Sequence, residues 1–199
     1  MTIINGYATA AELKTRLGIT DTSSDTVIEA VIEATSRAID AAVCRRIYAA
    51  SETRYYTTHD DSYVWVDDLV SVTTLKTDHD GDRVYEYTWS TTDYDLLPVN
   101  ASVIGWPHNQ IAVAPGGLRV FPVGASNPKA IQVVGSFGFA STTPDEVNEA
   151  CLIAGAQIFL RKDSPYGVTG GSGFVQMIKN AIESDPHVWA LIRKFKPYV

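Results

Sequence analysis

The sequence predicts an α+β protein in which a small helical bundle, formed by both chain ends, carries an inserted antiparallel β-domain. Apolar residues recur at helical spacing over residues 9–46 and again over residues 143–161. Between these segments the pattern changes to alternation, which is typical of strands. Neither helical end has enough apolar faces for a core of its own. The expected domains are therefore residues 1–46 with 144–199, and residues 47–143, the latter a small sandwich or barrel.

The composition limits the class of protein. A chain of 199 residues suffices for one large domain or two small ones, and a hydrophobic fraction of 45% excludes wholesale disorder. The net charge is −7, whereas dedicated nucleic-acid binders usually carry a basic surplus. Residues 1–144 hold 10 basic and 17 acidic residues, and residues 145–199 hold 6 of each. The acidity therefore belongs to the front and middle of the chain.

Targeting and redox signals are weak. The first residues lack the basic start and apolar run of a signal peptide. The longest apolar run, residues 150–160, is too short to span a bilayer, so no membrane partner is expected. Cys44 and Cys151 fall on apolar faces of predicted helices. We expect inert core thiols in a reducing compartment.

The first helical end contains two predicted helices. Thr9 and Glu12 have the spacing of a capping box, and Gly18 ends this short helix. After a polar link at residues 21–25, a long helix runs to about Arg46. Its apolar stripe recurs at spacings of three and four, through Ile28, Ile32, Thr35, Ile39 and Ala42.

The middle of the chain predicts a series of short strands. Alternating apolar residues, bounded by Gly, Pro and Asp clusters, indicate strands at residues 55–57, 63–66, 70–75, 84–89, 94–97, 111–113, 118–121 and 130–134. The run Asp78–Asp82 contains an Asp-Gly pair and predicts a hairpin turn.

The second helical end opens with start signals at Thr143, Pro144 and Glu146. The helix that follows is rich in small residues, which allow another helix to approach closely, and we expect it to be central and buried. It ends in Arg161-Lys162, and a glycine-rich tract and a predicted helix over residues 174–182 come next. Asp185 and Pro186 then start a last short helix as cap and first position.

No catalytic constellation is evident. His59 and His79 stand beside aspartates, but both runs are typical of solvated turns. Asp78–Asp82 lacks the glycine position and closing glutamate of a calcium loop, and phosphate-binding glycine loops are missing from the sequence. We expect a protein without catalytic residues, metal or cofactor. Strand aromatics such as Trp65 and Trp89 leave a ligand- or carbohydrate-binding β-module as the alternative.

Several segments resemble the head–tail connector family of tailed bacteriophages, also called head-completion or adaptor proteins. The resemblance lies in Tyr7–Gly18 with the long helix closing at Arg45-Arg46, in Asp93–Pro98, and most specifically in Pro144–Cys151 with Leu160–Gly167. A closing segment from Asp185 to Tyr198 is also similar to longer family members. Both helical ends match well and the middle of the chain matches loosely.

The resemblance implies a structural protein of the virion neck, made in the bacterial host cytoplasm. Family members form a ring of about twelve copies, dock on the portal, and present a platform to the next neck or tail-completion protein. DNA passes through the channel without specific binding, which an acidic subunit suits. The expected portal or subunit interface comprises Arg161, Lys162, Asp163, Ser164, Pro165, Tyr166, Gly167, Arg193, Lys194, Lys196 and Tyr198.

Three tests separate these hypotheses. Removing residues 185–199 is expected to leave the fold intact but abolish joining to the capsid. Burial of both Trp65 and Trp89 would exclude the ligand-binding alternative. A hydrolase built on His59 or His79 would be excluded if replacing both histidines changed nothing.

Overall fold

The computed structural model describes residues 3–124, 128–161 and 181–197 of the chain. The α+β class that the sequence predicts is confirmed. The elements, in chain order, are α1 (Ala10–Leu17), α2 (Asp25–Val43), β1 (Ala50–Tyr56), β2 (Tyr63–Thr77), β3 (Tyr87–Thr88), β4 (Tyr94–Leu97), a 3-10 turn (Ala101–Ile104), β5 (His108–Val113), β6 (Ile131–Phe137), α3 (Asp145–Arg161), α4 (Pro186–Ile192) and a second 3-10 turn (Arg193–Phe195).

The chain divides into two compact units. A helical unit contains Met1–Arg46 and Thr143–Val199, and a β unit contains Ile47–Thr142. Among the described residues, no helix combines the length and the apolar character needed to cross a membrane.

Helix α3 is the centre of the helical unit, as its small residues predict. It packs against α1, α2 and α4. Its buried side chains include Val147, Ala150, Cys151 and Ile158. Against this face α2 buries Ile28, Ile32 and Ile39, and the Oγ of Ser36 lies 3.6 Å from the Sγ of Cys151. Helices from the two ends of the sequence therefore share one core.

The segment before α1 adds polar links to this core. The backbone N–H of Tyr7 donates to Ser36 Oγ over 3.0 Å, and the Tyr7 carbonyl accepts from Asn148 Nδ2 over 2.9 Å. Its hydroxyl donates to Asp40. Tyr7 is itself buried, so these bonds satisfy polar groups that would otherwise lose water without compensation. One residue thus ties α2 to α3.

Both ends of α1 are those that the sequence predicts, whereas the C-terminal end of α2 is not. Thr9 and Glu12 form the predicted capping box, and Gly18 is left-handed at the end of α1. Helix α2 ends at Val43, earlier than the expected Arg46, because Cys44 adopts a left-handed conformation with φ 54°. Cys44 is therefore exposed rather than part of the core, while Cys151 is buried. Both thiols are free.

Replacing Gly155 by alanine is expected to raise the free energy of unfolding by about 0.5–1 kcal/mol. A Cβ at this position would lie 3.4 Å from Leu13 and 3.7 Å from Val31, which is ordinary van der Waals contact. Alanine therefore fits and removes the conformational cost of glycine in a helix. Urea unfolding measures the change. Gly155→Leu is the matched contrast, because its larger side chain must enter between Leu13 and Val31 and should destabilise. Equal loss of stability in both variants would contradict this account.

The β unit is built on one antiparallel sheet of six strands that is not closed into a barrel. The expected sandwich or barrel is thus replaced by a single open sheet. Its order is β1-β6-β2-β5-β4, with β3 paired to β2. One face covers an apolar core centred on Val64, Leu69, Leu75, Ile131 and Phe137.

Strand β2 explains how a single sheet encloses this core. Its C-terminal half pairs with β6 and its N-terminal half pairs with β5, with register shifts at three places. Such irregularities bend and twist a strand. At the bend, Asp67 accepts hydrogen bonds from Arg54 over 2.7 Å and from the Tyr56 hydroxyl over 3.0 Å. The two strands predicted at residues 63–66 and 70–75 are therefore one continuous strand.

Two further strand predictions are wrong. Residues 118–121 form no strand, because they lie between Gly116-Gly117 and Pro122, and the neighbouring segment contributes only an isolated bridge from Thr58 to Val123. In the segment 84–89, only Tyr87 and Thr88 pair. The turn predicted at Asp78–Asp82 is correspondingly a longer loop, residues 78–86.

Candidate assembly surfaces

The predicted interface residues lie in two places of the helical unit. Arg161 is exposed at the C-terminal end of α3. Arg193, Lys194 and Lys196 are exposed at the end of the last helical segment. The remaining predicted residues lie outside the described part of the chain, namely Lys162, Asp163, Ser164, Pro165, Tyr166, Gly167 and Tyr198.

Two ion pairs connect the first half of α3 to other parts of the helical unit. Lys194 Nζ donates to Glu146 over 2.5 Å, and Arg16 pairs with Glu149. The hydrogen bond from Lys194 lowers the pKa of the Glu146 carboxyl. Glu146 therefore binds the end of the chain, whereas the capping pattern had assigned it to Thr143. Both pairs are solvent-accessible, so each contributes about 0–1 kcal/mol and serves orientation more than stability.

A cleft of about 460 Å³ lies where α3 ends and α4 begins. It is lined by Gln157, Arg161, Ser184, Asp185 and Pro186. Across it, Gln157 Nε2 donates to Asp185 Oδ2 over 2.5 Å. The other oxygen of Asp185 accepts from the backbone N–H groups of His187 and Val188. Hydrogen bonds from Gln157 and from these amides lower the pKa of Asp185.

Replacing Asp185 by alanine is expected to lower the free energy of unfolding by about 1 kcal/mol, through loss of the α4 cap. Asp185→Asn retains an acceptor for the cap and is the matched control. Because folding lowers the pKa of Asp185, its contribution is fully present above the unfolded pKa of about 4. It is lost as the pH falls through the folded value. Urea unfolding at neutral and acid pH measures both effects, and a D185A deficit that grew in acid would contradict the assignment.

The end of the chain belongs to the core of the helical unit. Val188, Ile192 and Phe195 are buried, while charged neighbours on the same segment face solvent. This burial argues against the expectation that removing residues 185–199 leaves the fold intact. Arg193, Lys194 and Lys196 are exposed, so a partner can reach these charges while the buried side chains stay in place.

A second surface, which the sequence did not predict, lies in the loop between β4 and β5, residues 98–107. Four of its apolar side chains are exposed, and we call them the loop patch: Val99, Val103, Ile104 and Trp106. Exposed apolar groups gathered on one loop mark interaction sites more often than single ones do. The sequence feature that could have indicated this surface is a run of 23 residues without charge, residues 96–118.

Another group of exposed apolar residues lies at the opposite end of the sheet. We call it the distal patch: Val84, Tyr87, Leu118, Val120 and Val123. Loops at this end are joined by hydrogen bonds from Phe121 N to Asp61 O, from Lys129 N to Thr57 Oγ1 and from the Tyr85 hydroxyl to Lys129 O. The distal patch is therefore part of an ordered end and not a set of separate tips.

Acidic residues concentrate in the β unit. Residues 47–142 contain 5 basic and 11 acidic residues, a net charge of −6, which leaves −1 of the total −7 for the helical unit. Three carboxylates, Asp78, Asp80 and Glu86, come within 4.8 Å of one another. However, Asp78 accepts the backbone N–H groups of Gly81 and Arg83, so turn formation accounts for its position.

The remaining candidates for chemistry are two exposed histidines and one buried cysteine. His59 and His79 are exposed, and the ring of His79 lies edge-on to Tyr87. Asp60 Oδ1 accepts from the N–H of Ser62 and so belongs to its own turn. Burial raises the pKa of the Cys151 thiol to about 11, which keeps it protonated and unreactive at neutral pH.

The two tryptophans have opposite environments. Trp89 is 5% exposed and stacks on Phe121, with ring centroids 4.5 Å apart. Trp65 is 61% exposed and meets Tyr63 edge to face. Because they are not both buried, this test does not remove the ligand-binding alternative.

With the helical unit and the β unit described, the chain can be compared with known proteins. No protein-family model matches the sequence, and no curated protein matches it. Among solved structures, the chain is similar to one from the neck of an empty GTA particle, computed with C6 symmetry. GTA denotes a phage-like gene transfer agent. The TM-score is 0.58 at 16% identity, over 100% of this chain and 94% of that chain.

Proposed function

We propose that this protein is a structural subunit of a virion neck, a head–tail adaptor that joins a DNA-filled capsid to its tail. The observation that carries the proposal is the fold. Helical unit and β unit together, over the full length of the chain, share the fold of a chain from a phage-like particle neck. The similarity covers 100% of the chain and so includes both units, not one helical or sheet motif alone.

A ring is the proposed form of assembly, of about twelve copies, docked on the portal and presenting a platform to the next neck or tail-completion protein. Twelve is a multiple of six, so such a ring is compatible with the C6 symmetry of the similar neck. The exposed basic residues Arg161, Arg193, Lys194 and Lys196 are proposed to face the portal or a neighbouring copy. No catalytic activity, metal or cofactor is part of the proposal.

The charge of the subunit supports a channel role. Every phosphate contact adds affinity for DNA, and a passage through which DNA slides should avoid such contacts. A β unit with a net charge of −6 repels DNA instead of binding it. DNA would therefore pass through the ring without specific binding.

Deleting the coding gene from the particle-producing source tests the proposal. Electron microscopy of the particles is expected to show DNA-filled heads without tails, and supplying the intact chain should restore tails. A variant with Val27→Asp, an exposed substitution on α2, is the control and should restore tails as the intact chain does. Normal tailed particles from the deletion would refute the adaptor role.

The exposed Trp65 favours a second candidate, a carbohydrate- or ligand-binding β-module. A glycan array probed with the intact chain and with Trp65→Ala tests it. Binding that is lost in the variant would support this candidate, and equal or absent binding would remove it.

A further inference from the structure

The loop patch is held in place by the fold, although its side chains are exposed. Ala101 is fully buried, its N–H donates to Pro98 O over 3.1 Å, and its carbonyl accepts from Trp106 N over 2.9 Å. His108 Nδ1 lies 3.1 Å from the same Pro98 carbonyl. The ring of Trp106 also packs against Phe139. Val103 and Ile104, 81% and 68% exposed, are thus presented on an ordered loop.

This ordering matters energetically. Burying a Val or Ile side chain that would otherwise be exposed contributes about 1.5–3 kcal/mol. A preorganised loop loses little conformational entropy when it is covered, so more of that gain remains for binding. The loop patch is therefore suited to binding, because its conformation is already fixed within the subunit and little further conformational entropy is lost.

The distribution of charge favours a second copy of the chain as the partner. No charged residue occurs from Leu96 to Leu118, although the β unit as a whole carries −6. Two copies of an acidic chain repel each other wherever their charged surfaces meet, and burying charges between them costs further free energy. An uncharged apolar loop is the surface on which like-charged copies can approach at least cost. A basic partner would instead be attracted by the acidic surface.

Geometry supplies the complementary surface. Strand β6 runs from Ile131 at the end with the distal patch to Phe137 at the end with the loop patch, a separation of about 20 Å. The two patches of one copy therefore cannot cover each other. Ring contacts are heterologous, which means that two different surfaces of the subunit meet in every contact. Two apolar patches at opposite ends of one unit fit that requirement.

We propose that the loop patch of one copy packs against the distal patch of a second copy and forms a subunit contact of the assembly. This inference rests on the proposed ring and goes beyond it, because it names the surfaces that join neighbouring copies. The contact joins the apolar side chains of both patches, and the distal patch also includes the guanidinium of Arg119, which lies 5.4 Å from the centre of the Tyr87 ring.

Photo-cross-linking in assembled particles tests the contact. A photoreactive phenylalanine analogue replaces Ile104 in the full chain, and the same analogue at Val27 on α2 is the matched control. Irradiation is expected to give a product of two copies from position 104, with the linkage mapped by peptide masses to residues 84–87 or 118–123. A product with any other protein, a linkage elsewhere on the second copy, or no product would overturn the proposal.

A charge-insertion variant gives an independent measurement. Val103→Asp with Ile104→Asp should fold normally, with unchanged circular dichroism and urea midpoint, because both side chains are exposed. Tailed particles are expected to fall by about tenfold or more, since each contact would now bury carboxylates. If gene deletion gives tailless heads but this variant gives normal necks, the contact is wrong and the adaptor role stands. Should the variant not fold, the cross-link from position 104 decides.

Discussion

Replacing Gly135 by alanine is expected to lower the free energy of unfolding of the β unit by about 3 kcal/mol or more. Gly135 lies in β6, the strand between β1 and β2, opposite Glu52 on one side and Val72 on the other. A Cβ at this position would come within 2.3 Å of the Ser71 carbonyl oxygen. That atom is backbone, so it cannot rotate away as a side chain would, and β2 must move.

The consequence extends beyond one contact. Strand β2 pairs with β6, β5 and β3, and its displacement disturbs three ladders of the sheet. We expect Gly135→Ala to lose the β unit's cooperative urea transition or to shift it strongly downward. The helical unit retains its own core and should still give a helical circular dichroism signal.

Gly116→Ala is the matched control in the same unit. Gly116 has φ 79° but no heavy atom within 4 Å of an added Cβ. Its replacement costs only the strain of a left-handed residue, about 1 kcal/mol. Equal effects of the two substitutions would show that backbone strain, and not the close approach of β2, limits this sheet.

The helical unit could be predicted because its signals are local. The Thr9–Glu12 capping box and the Asp185 cap act within a few residues, and each has the role that its spacing indicates. The end of α2 could not be predicted in the same way. Cys44 adopts a left-handed conformation that its residue type does not favour, so no local signal marked the stop.

The sheet was less predictable because its pairings are non-local. β1 pairs with β6, and the residues joined are about eighty positions apart in the chain. In the sequence, the acidic pair Asp67-Asp68 indicates a break between two strands. In the structure, Asp67 accepts hydrogen bonds from Arg54 and Tyr56 of β1. That pairing exists only after β2 bends, so the acidic pair could not indicate a continuous strand in advance.

The candidate surfaces also differ in whether local sequence could predict them. Exposed charges at the chain end were predictable, since a basic run after an amphipathic helix faces solvent. The loop patch could not be predicted in this way. Residues 98–107 are identified as a loop by Pro98, Asn100, Gly105 and Pro107, and a loop is not expected to expose apolar side chains. Whether Val103 and Ile104 are exposed depends on the turn anchored by Ala101, which only the fold determines.

Removing residues 185–199 is expected to unfold the helical unit. The deletion removes three buried side chains, Val188, Ile192 and Phe195, and each such loss typically costs about 2–5 kcal/mol. It also removes the Asp185 cap and the Lys194 partner of Glu146. The sum is comparable with the whole stability of a typical domain, about 5–15 kcal/mol.

A loss of tailed particles from this truncation would therefore report unfolding and would say nothing about docking. The informative variant reverses the exposed charges alone, with Arg193→Glu and Lys196→Glu, and leaves Val188, Ile192 and Phe195 in place. We expect it to keep the urea midpoint of the intact chain within about 0.5 kcal/mol, because surface substitutions rarely cost more. If the basic end faces an acidic partner surface, like-charge repulsion should greatly reduce joining to the capsid.

The two variants together separate stability from assembly. Folded protein with few tailed particles, from the charge reversal, would place the basic end in a contact. Folded protein with normal particles would remove Arg193 and Lys196 from the interface while leaving the loop patch as the candidate contact. A truncated chain that remained folded would contradict the buried role of α4, because a helical unit that can lose Val188, Ile192 and Phe195 does not depend on the last helix for its core.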